Sequence, residues 1–279
     1  WAMAQFSGSG SGTSTDPYKV YNPIQLDQLR NFLGQTGVCF KIMNDIDLTD
    51  YIADNNPSQG WQPIGSSTEA FKGVVDGNNC TISGMRITRT SDYNGFFGCT
   101  NGANIKNLTI TYVSGDANCS GGAYTGMFTG KDEGSTITNV KVSGLTYVKG
   151  LASSAVKNYI GAFMGYASSS KISNCSVGKM KRVLGNQYIG GFVGYASSST
   201  FTNCTTQTTT YGYSTIVGGF AGQALNSSFT SITCTESDED GGYGIASGTY
   251  KVGGFFVKGF ANAIGDNSKY AAKTVSNMA

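Results

Sequence analysis

This sequence predicts an all-β fold: a right-handed parallel β-helix, a solenoid of about three short strands per turn, with an N-terminal capping helix. Three observations predict it. A unit with fixed internal spacing recurs six times. The composition suits turns and strands. A conserved slip in each unit's alternation of apolar residues marks a corner.

The repeat comes first, because self-similarity at a period of roughly 20–50 residues signals a stacked array. With the zero of each unit two residues before a recurrent Phe, the zeros are Asn94, Gly126, Gly161, Gly190, Gly218 and Gly253. Phe96, Phe128, Phe163, Phe192, Phe220 and Phe255 stand at offset two. Gly98, Gly130, Gly165, Gly194 and Gly222 stand at offset four, and Val257 breaks the series. Ile105, Ile137, Ile172, Phe201, Phe229 and Ile264 follow at offset eleven. The zeros are 32, 35, 29, 28 and 35 residues apart, and all the variation falls in the second part of the unit. That is how a solenoid accommodates loops on one side.

Within a unit, Gly-x-Phe-x-Gly has the period of two of a strand and puts Phe on one face. Offset fourteen is apolar or Cys: Leu108, Val140, Cys175, Cys204 and Ile232. Eleven and fourteen differ by an odd number, so a straight strand cannot bury both. At the slip stand Asn107, Asn139, Asn174 and Asn203, then Ser231 and Asp266. Asn tolerates left-handed backbone and bonds nearby groups. The expectation is a column of corner Asn side chains bonded along the axis. A unit of this length holds about three strands of ~5 residues, and parallel crossovers favour a right-handed coil.

Composition agrees. Charged residues are 13%, about half the usual ~25%. Gly is 40 of 279 residues and Pro only 4. The net charge of +2, without a long basic run, argues against nucleic acid as a partner. The absence of His removes the commonest general base and the commonest transition-metal ligand. No run of apolar residues is long enough for a membrane-spanning helix.

Three divisions follow. Residues 1–15 read as the remnant of a signal peptide (Ala2-Met3-Ala4, then Gln5) and a flexible "SGSGSGT" spacer. Residues 16–93 hold a cap and irregular first rungs, continuous with the repeat solenoid of 94–279. In the cap, "NPIQLDQLRNFLG" predicts a helix over 22–34, with Asn22 as N-cap, Pro23 in the first turn and Gly34 at its end. Ile24, Leu29, Phe32 and Leu33 would form its apolar face. "CFKIMNDIDL" reads as the entering strand. "FKGVVDGNNCTISGM" reads as an altered rung in which Ile82 arrives two residues late.

Gly-x-Phe-x-Gly followed by Ile-x-Asn-Cys resembles the GLUG-motif repeat family of bacterial surface and secreted proteins. "GGFVG", "IGAFMG" and "GGFAG" carry Phe where the motif has Leu. The order of "NDIDLTD", "GWQPIG" and "FKGVVDGNNCTISGM" ahead of the repeats resembles the region that precedes them in that family. The resemblance implies a β-helical domain on the bacterial exterior and supplies no catalytic residues.

The chemistry-bearing residues are few. Cys175 and Cys204 share an offset; they read as small buried hydrophobes, and their register also permits a disulfide. Asp238, Glu239 and Asp240 in "ESDEDGG" form a candidate metal site, which makes calcium the one cofactor to consider; a solvated loop is the plainer reading. Asp45, Asp47 and Asp50 read as turn caps. Asp132 and Glu133, adjacent on a strand, would point to opposite faces. Tyr166 and Tyr195 share offset five and are exposed candidates for stacking on sugars, or simple ladder packing. The expected function is therefore that of a non-catalytic, secreted or cell-surface adhesin-like or scaffold module. Its partner would be a host or bacterial surface glycan or protein, recognised through the variable loops 115–124, 144–159 and 236–250. The alternative is a β-helix that binds or cleaves polysaccharide.

Overall fold

The computed structural model describes residues 5–150, 157–212, 216–235, 246–248 and 252–253. It is the predicted parallel β-helix. Consecutive turns stack so that Ile105, Ile137, Ile172, Phe201 and Phe229 lie in one column, each on its own strand, through parallel pairing. The Leu108 and Val140 positions pair likewise, and Cys175, Cys204 and Ile232 are buried at the matching offset. An apolar residue at a fixed offset therefore becomes an apolar column along the solenoid axis.

One turn crosses four sheets, one more than the spacing suggested. It runs through Tyr159–Gly161, Met164–Ser168, Lys171–Ser173 with Ser176–Val177, and Arg182–Gly185, then restarts at Tyr188–Gly190. We refer to these as the tyrosine, glycine, corner and return sheets. Among the described residues the corner sheet has 13 strands, the return sheet 6, and the other two 5 each; the corner sheet reaches through the N-terminal rungs and is split in two by the corner in the later turns.

The Phe column fills the interior. Phe128, Phe163, Phe192 and Phe220 are fully buried, with successive ring centroids 5.0, 4.6 and 4.7 Å apart and nearly parallel. Stacked pairs of this kind contribute about 0.5–1.5 kcal/mol beyond simple burial. The first unit departs from the pattern: Phe96 stacks on Trp61, and Phe97 continues towards Phe128. Phe255 lies outside the described residues.

The Asn corner is as expected. Asn107, Asn139, Asn174 and Asn203 all have φ between 52 and 56°, and Ser231 takes φ 54° in the next turn. Side-chain bonds run along the axis: Asn139 Nδ2 donates to Asn107 Oδ1 (2.9 Å), and Asn203 Nδ2 to Asn174 Oδ1 (2.7 Å). These asparagines are occupied as structure, so the triplets that begin at Asn107, Asn174 and Asn203 serve the corner.

A second left-handed column explains "YASSS". Gly102, Gly134, Ser169, Ser198 and Asn226 have φ of 63, 72, 54, 48 and 49°. The next residue in each turn is buried and small: Ala103, Ser135, Ser170, Ser199 and Ser227. Ser199 Oγ accepts the Ser170 N–H, and Ser227 Oγ the Ser199 N–H, each at 3.1 Å. Each of these hydroxyls satisfies a backbone donor that the corner would otherwise leave unpaired.

The cap differs from its sequence reading in four places. The entering strand is Tyr18–Val20, which pairs with Cys39–Ile42, so 39–48 contributes the second rung. The predicted helix is an α-helix over Pro23–Asp27, capped by Asn22 as expected, and then a 3₁₀ segment over Gln28–Phe32. The tighter winding brings residues three apart onto one face. Leu26, Leu29 and Phe32 are therefore buried, while Ile24, expected inside, is 59% exposed. The "SGSGSGT" tract, expected as a flexible spacer, packs against the first strand: Lys19 N–H donates to Ser9 O, and Cys39 N–H to Gly12 O, both at 2.8 Å. At Gly8 a Cβ would sit 2.7 Å from Lys19 O, so the glycines allow backbone contact here. Finally, Ile82 is not a late offset-eleven residue. Val75 pairs with Ile105 and Ile82 with Ile110, and the two extra residues form a wider corner with Asn78 and Asn79 both left-handed.

All seven cysteines are free and buried. Burial pushes the Cys204 thiol up to about 12 and raises that of Cys175 as well. They occupy the core as small apolar groups, without a disulfide between them.

Candidate functional site: a tyrosine face

The glycines of the repeat shape one outer face. A Cβ at Gly165 would lie 2.5 Å from Tyr159 O and 2.6 Å from Gly130 O. With hydrogen there instead, the tyrosine sheet lies directly across the glycine sheet. The outward residues of the two sheets then meet.

Those residues are tyrosines. Tyr93, Tyr124, Tyr159 and Tyr188 form one column, with successive ring centroids 4.8, 5.0 and 5.0 Å apart. Tyr166 and Tyr195 form a second, 5.2 Å apart and 3° from parallel. The columns meet edge to face, for example Tyr159 with Tyr166 at 5.6 Å and 80°, and Tyr188 with Tyr195 at 5.8 Å and 83°. All six rings are partly exposed. Among the described residues, none of their hydroxyls has a hydrogen-bond partner.

Lys131 continues the second column, in register with Tyr166. Its Nζ lies 5.9 Å from the Tyr166 ring centroid and 2.8 Å from Glu133 Oε1. Burial opposes the charge on Lys131, but the bond to Glu133 outweighs it and raises the pKa. Burial first, then the neighbouring phenols, pushes Tyr159 up to about 12 and also raises Tyr195 and Tyr124. Tyr124, Tyr159 and Tyr195 therefore hold their protons, and the Lys131 ammonium stands at the side of the face. Such a surface offers apolar ring area together with hydroxyl donors and acceptors.

Of the residues singled out by sequence, Tyr166 and Tyr195 belong to this face, and their expected ladder packing holds. The larger column was missed, although Tyr124, Tyr159 and Tyr188 each stand two residues before a zero. The Phe and Asn residues are structural. Asp238, Glu239 and Asp240 lie outside the described residues. Among the described residues, no group of three acidic, Cys or His side chains is placed to hold a metal. Asp47 accepts bonds from Thr49 N–H (2.9 Å) and Oγ1 (2.6 Å), and these hold its pKa below the usual carboxylate value. It is a turn cap, as expected.

Asp132 and Glu133 do point to opposite faces. Asp132 is fully buried and accepts from Thr100 Oγ1 at 2.6 Å and from Ser170 Oγ. The variable segments are corrected in part. Residues 115–124 are not a loop but mostly the strand Gly115–Gly121 of the return sheet, and Thr146–Gly150 is another strand of that sheet. Residues 151–156 and most of 236–250 lie outside the described residues.

Comparison with known proteins agrees with the fold. The model of the GLUG motif matches residues 185–209, which include the "GGFVG" unit. A "Putative Gly-rich membrane protein" of Evansella cellulosilytica is 39% identical over 140 residues, 48% of this chain and 15% of that protein. "Halomucin" of Haloquadratum walsbyi is 34% identical over 82 residues, 29% of this chain and 1% of that protein. The chain thus spans a small fraction of the curated relatives it matches. A crystal structure described as "a putative immunoglobulin A1 protease from Bacteroides ovatus" aligns over 98% of this chain and 89% of its own, with TM-score 0.55 and 20% identity. At that identity the likeness is one of fold. Among the described residues, no helix is long and apolar enough to cross a membrane.

Proposed function

We propose that this GLUG-motif β-helix is a non-catalytic, adhesin-like binding module of the cell exterior, and that its tyrosine face holds a surface glycan. The observation that carries the reading is the double column of six partly exposed tyrosines with unpartnered hydroxyls. A pyranose ring has an apolar face and a rim of hydroxyls, which such a surface complements. The names of the two relatives, one a membrane protein and one a halomucin, support an exterior location. The non-catalytic part rests on chemistry: the chain has no His, and the carboxylate best insulated from water, Asp132, faces the interior where no polymer can reach it.

The test is retention on a panel of immobilised polysaccharides, with release of reducing ends and unsaturated products followed in parallel. We expect retention on at least one polymer without product. Replacing Tyr159 and Tyr188 by Ala should weaken it by roughly tenfold, the scale of about 1.4 kcal/mol. Retention unchanged by that double replacement would sink the tyrosine face as the site. Product release would replace the adhesin reading with a polysaccharide-cleaving one.

A further inference from the structure

A groove lies over the first rungs, on the outer face of the corner sheet. There the loop carrying Ser14 and Thr15 stands over the first rungs and encloses a groove of about 560 Å³. Its floor is a single in-register column: Lys19 pairs with Lys41, Lys41 with Asp76, and Asp76 with Lys106. The strands are ~4.8 Å apart, so two ammonium-bearing side chains stand side by side.

The one carboxylate in that column is already occupied. Asp76 Oδ1 accepts from Asn78 N–H at 2.9 Å and Asn107 Nδ2 at 3.2 Å, and Oδ2 faces Lys106 Nζ at 3.4 Å. Neither Lys19 nor Lys41 has an ion pair among the described residues. Asp16 also lines the groove, but it is exposed and forms no ion pair. Like charges directly opposite one another destabilise a sheet. Asp76 stands opposite Lys41 and offsets part of that cost, but Lys19 has only Lys41 beside it in the column.

We propose that this groove binds the carboxylate-bearing residues of an acidic polysaccharide. Lys19 and Lys41 together hold one carboxylate, and the exposed hydroxyls of Ser14 and Thr15 meet the sugar ring. The backbone argues against an acidic peptide. The edge of the first strand is already covered, because Lys19 N–H, at its centre, donates to Ser9 O. An incoming peptide would find no free strand edge there to pair with. Recognition must then come from side-chain charge and hydroxyls. The site is separate from the tyrosine face and stands or falls without it.

The test uses the full chain and polygalacturonate, with fully methyl-esterified polygalacturonate and poly-L-glutamate as comparators, in affinity electrophoresis and calorimetry. The wild type should bind polygalacturonate and not the ester. Binding should weaken when salt rises from about 0.01 M to about 0.15 M, as the Debye length falls from ~30 to ~8 Å. Lys19→Gln with Lys41→Gln should lower affinity roughly tenfold or more, while Lys19→Arg with Lys41→Arg retains it and controls for folding. Asp16→Asn should tighten binding. Lys141→Gln with Lys171→Gln, at exposed lysines outside the groove, should leave it unchanged, which separates capture in the groove from a general effect of charge. The proposal is overturned if the wild type does not bind polygalacturonate, if the ester binds equally, if the Gln variant binds as well as wild type, or if poly-L-glutamate binds as tightly.

Discussion

The described residues of 126–235 and residues 5–93 form rungs of the same solenoid, but by different means. In the first region each position does one job four times over: Phe in the core, Asn or finally Ser at one corner, a small buried Ser at the other. In the second, each position does its job once. Phe6 packs on Tyr18 and Phe40, Gly8 admits a carbonyl, and the 3₁₀ segment rotates Phe32 onto Phe40. The repeated region is stabilised by columns, the cap by individual fits. The difference predicts where single substitutions spread and where they stay local.

The largest effect should come from emptying a column. Phe192 stacks between Phe163 and Phe220 at 4.6 and 4.7 Å and is fully buried. Phe192→Ala should cost roughly 3–5 kcal/mol, read as a shift of the denaturant midpoint. Phe40→Ala in the cap removes as large a ring from a cluster whose partners are tilted or edge-on. If columns transmit strain between rungs, hydrogen exchange in Phe192→Ala should accelerate in the turns on both sides. In Phe40→Ala the change should stay within the first rungs. Equal spread in both variants would abolish the distinction.

A smaller loss is expected at the corner. Asn203 sits at φ 52° and donates to Asn174. A left-handed conformation costs most residues roughly 1–2 kcal/mol, so Asn203→Ala should lose about that much plus one hydrogen bond. Asn203→Gly keeps the backbone and loses the bond alone. A Gly variant no more stable than the Ala variant would shift the explanation from backbone strain to the ladder.

Much of this was legible in the sequence because a solenoid copies its rules. The Asn corner could be read from an odd offset repeated down the chain, and the Phe column from Gly-x-Phe-x-Gly. The second corner was harder to see, since Gly102, Gly134, Ser169, Ser198 and Asn226 share a backbone angle but not a residue type. The cap was read least well. A change from α to 3₁₀ winding moves Ile24 to the surface, and no repeat exposes that change. The tyrosine face had a signal at a fixed offset, but it arises from two sheets that sequence alone did not place face to face. The lysine groove depends on register between rungs that share no motif.

Asp132 is the position where the repeated region breaks its own rule, and it gives the finest test of the comparison. Its column reads Thr100, Asp132, Ala167, Ala196 and Ala224. Burial raises the Asp132 pKa, and the bonds from Ser135, Ser170 and Thr100 only partly oppose this. The folded state therefore holds the proton more tightly than the unfolded state. The resulting stabilisation is full below the unfolded value of about 3.9 and is lost as pH rises through the raised folded value. Asp132→Asn keeps the shape without the charge and removes that dependence. The melting temperatures of variant and wild type should be close near pH 4, and the variant should gain on the wild type as pH rises towards neutrality. A gap that stays constant with pH would mean that the hydroxyls of Thr100 and Ser170 fully compensate the buried charge. The position would then follow its column in all but composition.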